Sequence, residues 1–90
     1  MAADYRLTLH TIEEMQRRQI SHAILDQVLT APEQKIAVRP GRMVYQSRIE
    51  IGNPQKAYLI RVFVDVDRDP MEVVTVYRTS KISKYWEADQ

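Results

Sequence analysis

The chain contains no cysteine. That removes disulfides, thiolate metal sites and cysteine nucleophiles together, and with them disulfide scaffolds, zinc fingers and thiol redox chemistry. Glycine is almost as scarce: Gly41 and Gly52 stand alone, each beside turn-forming residues, so no phosphate-cradling loop or dinucleotide fingerprint can be assembled. No apolar run approaches the length of a membrane span. The opening Met1-Ala2-Ala3-Asp4 lacks the basic and apolar regions of a secretion signal, so the expectation is a cytoplasmic protein with no membrane partner. Charge of one sign is missing too, since 13 Lys and Arg against 12 Asp and Glu leave a formal net charge of +1. An electrostatic function must then come from where the charges sit and not from their sum. His10 and His22 are the only histidines, and neither has a second ligand at metal spacing, so no metal and no cofactor are expected.

What is present is enough for one core. Ninety residues, 44% of them hydrophobic, read as a single domain over residues 1–90. Tyr5 to Leu9 is a short strand candidate. Thr11-x-x-Glu14 has capping-box spacing and is expected to open a helix with Ile12 and Met15 on its apolar side. Ser21 caps a second helix, in which Ile24, Leu25, Val28 and Leu29 recur at buried-stripe spacing before Ala31-Pro32 stops it. Turn formers then recur at Pro40-Gly41, Gly52-Asn53-Pro54-Gln55 and Asp67-Arg68-Asp69-Pro70, dividing the remainder into four strands. Ser80 is a candidate cap for a short last helix with Ile82, Tyr85 and Trp86 on one side. The fold expected is α+β: a short N-terminal strand, two helices packed on one face of an antiparallel four-stranded meander, and a short C-terminal helix.

Hairpin turns fix register, and register decides which residues share a face. The first turn pairs Val38 with Met43 and Ile36 with Tyr45. The second sets Met43, Tyr45, Ser47 and Ile49 against Val64, Val62, Ile60 and Tyr58. The third sets Val64, Val62 and Ile60 against Val73, Thr75 and Tyr77. On this scheme one face is almost wholly apolar and is the core, with Tyr77 turned inward beside Ile60. The other face carries Lys35, Arg39, Arg42, Arg48, Arg61 and Arg78 against Glu33, Glu50, Asp65 and Glu72, next to an apolar row of Val44, Phe63 and Val74.

Two readings of that charged face stand side by side. Arg48, Arg61 and Arg78, with Lys81 just beyond, suit phosphate contacts beside an exposed aromatic, as in single-stranded RNA recognition. The same charges equally suit an ordinary solvated face in which Glu33, Glu50 or Glu72 pairs with the cations. The Val44, Phe63 and Val74 row suits cover by the last helix, by an antitoxin-like protein or by a second copy of the chain. His10, at the strand-to-helix junction, is a candidate general base or a structural residue of the helix start. Arg18 reads as a surface residue complementing the helix dipole.

His10, Arg18-Gln19-Ile20-Ser21 and the stretch Val74-Thr75-Val76-Tyr77-Arg78-Thr79-Ser80-Lys81-Ile82-Ser83-Lys84-Tyr85-Trp86 resemble a family of small bacterial domains of uncertain function. That family is in turn similar to the RelE and BrnT type toxins. The resemblance implies a toxin-like helix-helix-sheet fold and RNA binding or cleavage under control of an antitoxin. It further implies that Arg, Lys, His and Tyr side chains position the sugar 2′-hydroxyl and the phosphate. Carried onto this chain, Arg48, Arg61, Arg78 and Lys81 are the expected RNA contacts and His10 and Tyr77 the expected catalytic pair of a metal-independent endoribonuclease. The alternative expectation is a toxin-like interaction module or homodimer with no enzymatic activity.

Overall fold

In the computed structural model, which describes residues 4–88, the chain runs β1 (Tyr5–Leu7), α1 (Leu9–Arg18), α2 (His22–Thr30), β2 (Gln34–Arg39), β3 (Arg42–Ile51), β4 (Lys56–Asp65), β5 (Met71–Thr79) and α3 (Ile82–Tyr85). Met1, Ala2 and Ala3 of the opening stretch on which the expectation of no secretion signal rests lie outside the described residues. Among the described residues no helix is long and apolar enough to cross a membrane.

The helices start and stop for local reasons. Thr8, and not Thr11, caps α1: its Oγ1 accepts the Thr11 N–H at 3.0 Å, satisfying one of the helix's orphan donors. Thr11 is thereby left to reach the sheet, and its hydroxyl donates to the Val73 carbonyl at 2.8 Å. The buried stripe of α1 is accordingly Thr11, Glu14 and Met15, while Ile12, expected inside, is 38% exposed. Gln19 closes α1 in the left-handed region at φ 55°. Ser21 caps α2 through the Ile24 N–H, as expected, and Ala31 ends it.

The sheet is mixed and five-stranded, in the order β1-β5-β4-β3-β2. β2 to β5 form the expected run of antiparallel neighbours. The fold expectation is corrected at the first strand, which joins the edge of β5 in parallel, with Tyr5 opposite Met71 and Leu7 opposite Val73. No turn connects these two strands, so nothing local announced the pairing. Tyr5 also reaches α2, its hydroxyl donating to Asp26 Oδ1 at 3.3 Å.

Register follows the turns along β3 and β4, where Met43, Tyr45, Ser47 and Ile49 oppose Val64, Val62, Ile60 and Tyr58. It departs from them in the outer strands. Arg39 pairs with Arg42 across the two-residue turn, but Ala37 then opposes Met43, so Val38 is an extra residue. In β5, Val73 opposes Val64 and Thr75 opposes Phe63, which makes Val74 extra. Each bulge exchanges the faces of the strand beyond it, because side chains alternate with a period of two.

The helix-covered face buries Met15, Ile20, Leu25, Val28, Leu29, Ile60, Val62, Val64, Val73 and Val76 in one cluster. Side chains of this kind contribute about 1.5–3 kcal/mol each when fully buried. The β2–β3 turn needs Gly41 for two reasons: its φ is +83°, and an added Cβ would stand 2.6 Å from Asp67 Oδ2. Close by, Arg42 grips Asp65 side-on, through Nε at 2.6 Å and a terminal nitrogen at 3.1 Å.

Candidate functional site

The Val74 bulge builds the site. Beyond it, Thr75 and Tyr77 turn away from the core, in the cross-strand rows of Phe63 and Arg61. Tyr77 therefore does not pack beside Ile60 as the turn-derived register had it. Arg78 takes the Ile60 row instead and faces the helix side, its guanidinium 4.8 Å from the centre of the Tyr58 ring.

Helix α1 is pinned to the same bulge. The Thr8 N–H and the Thr11 hydroxyl bond to the Val73 carbonyl, and the Thr8 hydroxyl lies 2.8 Å from that of Thr11 and 3.4 Å from the Val74 carbonyl. The helix thus takes over the β5 edge where β1 stops. From this fixed start His10 meets Thr75, with His10 Nε2 and Thr75 Oγ1 3.2 Å apart. Two turns further along, the Arg18 guanidinium lies 4.8 Å from the centre of the Tyr77 ring. Glu14 stands between them at i+4 from His10 and i−4 from Arg18, only 4% exposed, with one carboxylate oxygen on Arg18 Nε at 2.8 Å and the other on Arg17 at 2.7 Å.

Arg61 is the cross-strand partner of Tyr77. Its Nε donates to Gln46 Oε1 at 2.9 Å, and its guanidinium lies 4.5 Å from the centre of the Tyr85 ring and 5.3 Å from that of Phe63. Tyr85 comes from α3 and meets Tyr77 edge-on, the ring centres 6.0 Å apart. A polar relay holds this end of the chain down. Gln46, fully buried, donates to Gln34 Oε1 at 2.7 Å and to the Tyr85 carbonyl at 3.2 Å. Gln34 then engages both backbone groups of Glu87, donating to its carbonyl and accepting its N–H. The last segment consequently covers the glutamine and arginine rows, while the apolar row reads Ile36, Val44, Phe63 and Thr75, with Val44 buried.

Electrostatics separates the arginines. Arg48 is committed to Glu33, which accepts from its backbone N–H, its Nε and a terminal nitrogen at 2.7, 3.1 and 2.9 Å. Its guanidinium also lies 4.1 Å from the centre of the Trp86 ring. The Arg48 hydrogen bonds hold the Glu33 carboxyl below the usual carboxylate range. Glu14 is lowered in the same way, first by its hydrogen bond from Arg18 and then by the charge of Arg17. Arg61 has no carboxylate within ion-pairing distance among the described residues. Burial pulls its pKa below the ordinary arginine value. The Tyr85 phenol is also lowered, first by the Tyr77 hydroxyl and further by Lys84 and Arg61.

Of the residues singled out from the sequence, Tyr77 and Arg61 are cross-strand neighbours, and His10 meets Thr75 in the adjacent row of the same face. Arg48 lies two residues along β3 from Gln46, paired off with Glu33, and Arg78 points to the opposite side of the sheet. Lys81 is exposed just after β5, its backbone N–H on Thr79 Oγ1 at 3.0 Å. Sequence reasoning missed Glu14 and Arg18 as parts of this cluster. The spacing of His10, Glu14 and Arg18 at successive intervals of four marks one helix face and could have revealed them. Away from this cluster, a cleft of about 150 Å³ is lined by Arg6, Arg68, Asp69, Pro70 and Glu72. Arg68 there already bonds Glu72 at 3.1 Å and Asp67 at 3.2 Å. Among the described residues no group of three or more His, Cys, Asp or Glu is placed to hold a metal ion.

Comparison with curated proteins and with solved structures yields no match to this chain. A family model described as "Domain of unknown function (DUF4258)" matches residues 7–78, a span that includes the bulge, the helix pinned to it and the facing arginine, and the chain belongs to that family.

Proposed function

We propose that the protein acts on RNA in the manner of RelE and BrnT type toxins, as a metal-independent endoribonuclease with His10, Arg61 and Tyr77 at its centre. The observation that carries this reading is the position of Arg61: half-buried, without a carboxylate partner among the described residues, and framed by Tyr77 and Tyr85. A guanidinium with uncommitted terminal nitrogens beside aromatic faces suits a phosphate next to a stacked base. His10, bonded to Thr75 in the adjacent cross-strand row of the same face, supplies an imidazole able to act as a general base.

In this reaction the neutral imidazole of His10 takes the proton of the 2′-hydroxyl. The 2′-oxygen then bonds to phosphorus, and the bond from phosphorus to the 5′-oxygen breaks. Arg61 stabilises the charge gathering on the non-bridging oxygens, and the Tyr77 phenol gives its proton to the departing 5′-oxygen. The products are a 2′,3′-cyclic phosphate and a 5′-hydroxyl end, with water able to carry the His10 proton back to Tyr77.

The test is purified protein incubated with cellular RNA with and without a chelator, alongside controlled expression in a bacterium. Chelator-insensitive cutting that leaves cyclic phosphate ends, with growth arrest, is the expected result. His10→Ala should lower the cleavage rate by about 10²–10⁴-fold. Intact RNA in vitro and unaffected growth at high expression would sink the catalytic reading. A non-catalytic interaction module is the second reading, favoured by Leu9, which is 71% exposed beside Ile12 on α1. Unaltered RNA combined with capture of a partner that Leu9→Glu abolishes would select it.

A further inference from the structure

The buried carboxylate of α1 has no use in the reaction just described. Glu14 sits on the inward stripe of the helix next to Met15, where an apolar residue of similar size would serve stability at least as well as a buried ion pair does. What it does instead is orient. One of its oxygens takes Arg18 Nε at 2.8 Å and the other takes Arg17 at 2.7 Å, so both are in use. The Arg18 guanidinium is then held from two sides, by Glu14 at its Nε and by the Tyr77 ring at 4.8 Å.

Arg61 is mounted in the same way on the far side of Tyr77. Its Nε is tied to Gln46 Oε1 at 2.9 Å and its plane lies 4.5 Å from the centre of the Tyr85 ring. Among the described residues the hydrogen bonds of both arginines are made through Nε. Each therefore keeps its pair of terminal nitrogens for an outside acceptor, in the fork geometry that fits a phosphate. Tyr77 links the two: its ring carries the Arg18 guanidinium, its cross-strand partner is Arg61, and it meets edge-on the Tyr85 ring that carries the Arg61 guanidinium.

We propose that Arg18 is a second phosphate contact of this site, clamping a phosphodiester of single-stranded RNA together with Arg61, and that Glu14 is the positioning residue that holds it there. The inference rests on the RNA reading above and specifies which side chains bind the backbone. Holding Arg18 in advance lowers the conformational entropy lost when the strand arrives. It also gives Glu14 an effect opposite in sign to its charge. Removing an anion beside a polyanion site should tighten binding by electrostatics alone, whereas loss of the Arg18 anchor weakens it.

The experiment is fluorescence anisotropy of a labelled mixed-sequence single-stranded RNA of about twelve nucleotides, its 2′-hydroxyls methylated so that it cannot be cut, titrated with wild type, R61A, R18A, R18K, E14Q and R17A over a range of salt, each variant checked by circular dichroism. R18A is expected to weaken binding by about tenfold and to flatten the salt dependence by about 0.7 in log–log slope, the value for one single-strand phosphate contact. E14Q should shift both quantities in the same direction, and R17A, equal to R18A in net charge, should change affinity less than about twofold. R18K keeps the charge at a partly exposed position and tests the fork even if E14Q folds poorly: its single ammonium should bind nearly as weakly as R18A. Binding lost in R61A but unchanged in R18A and R18K, or tightened in E14Q, would overturn this inference and leave the RNA reading standing. Absence of RNA binding by the wild type would overturn both.

Discussion

The two faces of the sheet are held by different physics. On the helix side, Leu25, Val28, Ile60, Val62, Val64 and Val73 are wholly buried, so that face is stabilised by area removed from water and by close packing, neither of which needs a particular partner atom. On the α3 side Val44 and Leu59 are buried as well, but between them runs a relay of named hydrogen bonds, from Arg61 to Gln46, Gln46 to Gln34 and the glutamines to the backbone of residues 85 and 87. No buried side-chain nitrogen or oxygen is left without a partner among the described residues. The first kind of face tolerates conservative change and loses stability in proportion to the volume removed. The second kind is intolerant, because one missing atom strands its neighbours.

The largest expected effect separates the faces by stability. Leu25→Ala should cost about 2–5 kcal/mol, lowering the melting temperature equally whether unfolding is followed by circular dichroism or by fluorescence of Trp86, the only tryptophan. Divergent transitions in that variant would break the claim that the helix-side core governs global unfolding. A smaller effect comes from Gln46→Ala, which strands the Gln34 and Arg61 groups and should cost about 1–3 kcal/mol. Its signature is a red shift of Trp86 emission below the melting transition, as residues 85–87 lift while the core stays closed. If the emission moved only with global unfolding, the relay would be part of a single cooperative unit.

The smallest effect sharpens the contrast by pH. Glu33 is lowered in the folded protein by its Arg48 hydrogen bonds, so the unfolded chain binds this proton first as acid is added. The stabilisation is therefore present above the ordinary glutamate value of about 4.3 and is lost as the pH falls through the lower folded value. Since Arg48 faces Trp86, Trp86 emission should change in that window, and Glu33→Gln should abolish the change with little effect on the melting temperature at neutral pH. Persistence of the change in Glu33→Gln would assign it to another carboxylate; Asp65 is lowered first by Arg42 and Glu14 first by Arg18.

How much of this was legible in the sequence differs from one strand to the next. The long β3–β4 hairpin could be read pair by pair, because a four-residue turn rich in Gly, Asn and Pro set its register and both strands then ran without interruption. The same logic failed in β2 and β5, and the failures exchanged Tyr77 with Arg78 and Ile36 with Lys35. The extra residues there are Val38 and Val74, β-branched side chains that favour regular strands. Neither carries the glycine that marks one common class of bulge. His10, Arg61 and Tyr77 were identifiable by chemical type. The pairing of Arg61 with Tyr77 and of His10 with Thr75 was not, because it depends on which way a strand faces after a bulge.

The sequence by itself determined the α+β class, the start of α2 at Ser21, the positions of the turns and the apolar alternation of the central hairpin. These follow from capping, turn chemistry and side-chain period, which act over a few residues. Only the tertiary structure decided that β1 pairs in parallel with a strand more than sixty residues away, and that Thr8 and Thr11 fasten α1 to the carbonyls of Val73 and Val74. It also decided that Arg18 and Arg61 flank one tyrosine while Arg48 is bound to Glu33 and Arg78 lies on the other face. A backbone carbonyl at a bulge can be satisfied by any hydroxyl the chain delivers to it, and which one arrives is a property of the packed fold.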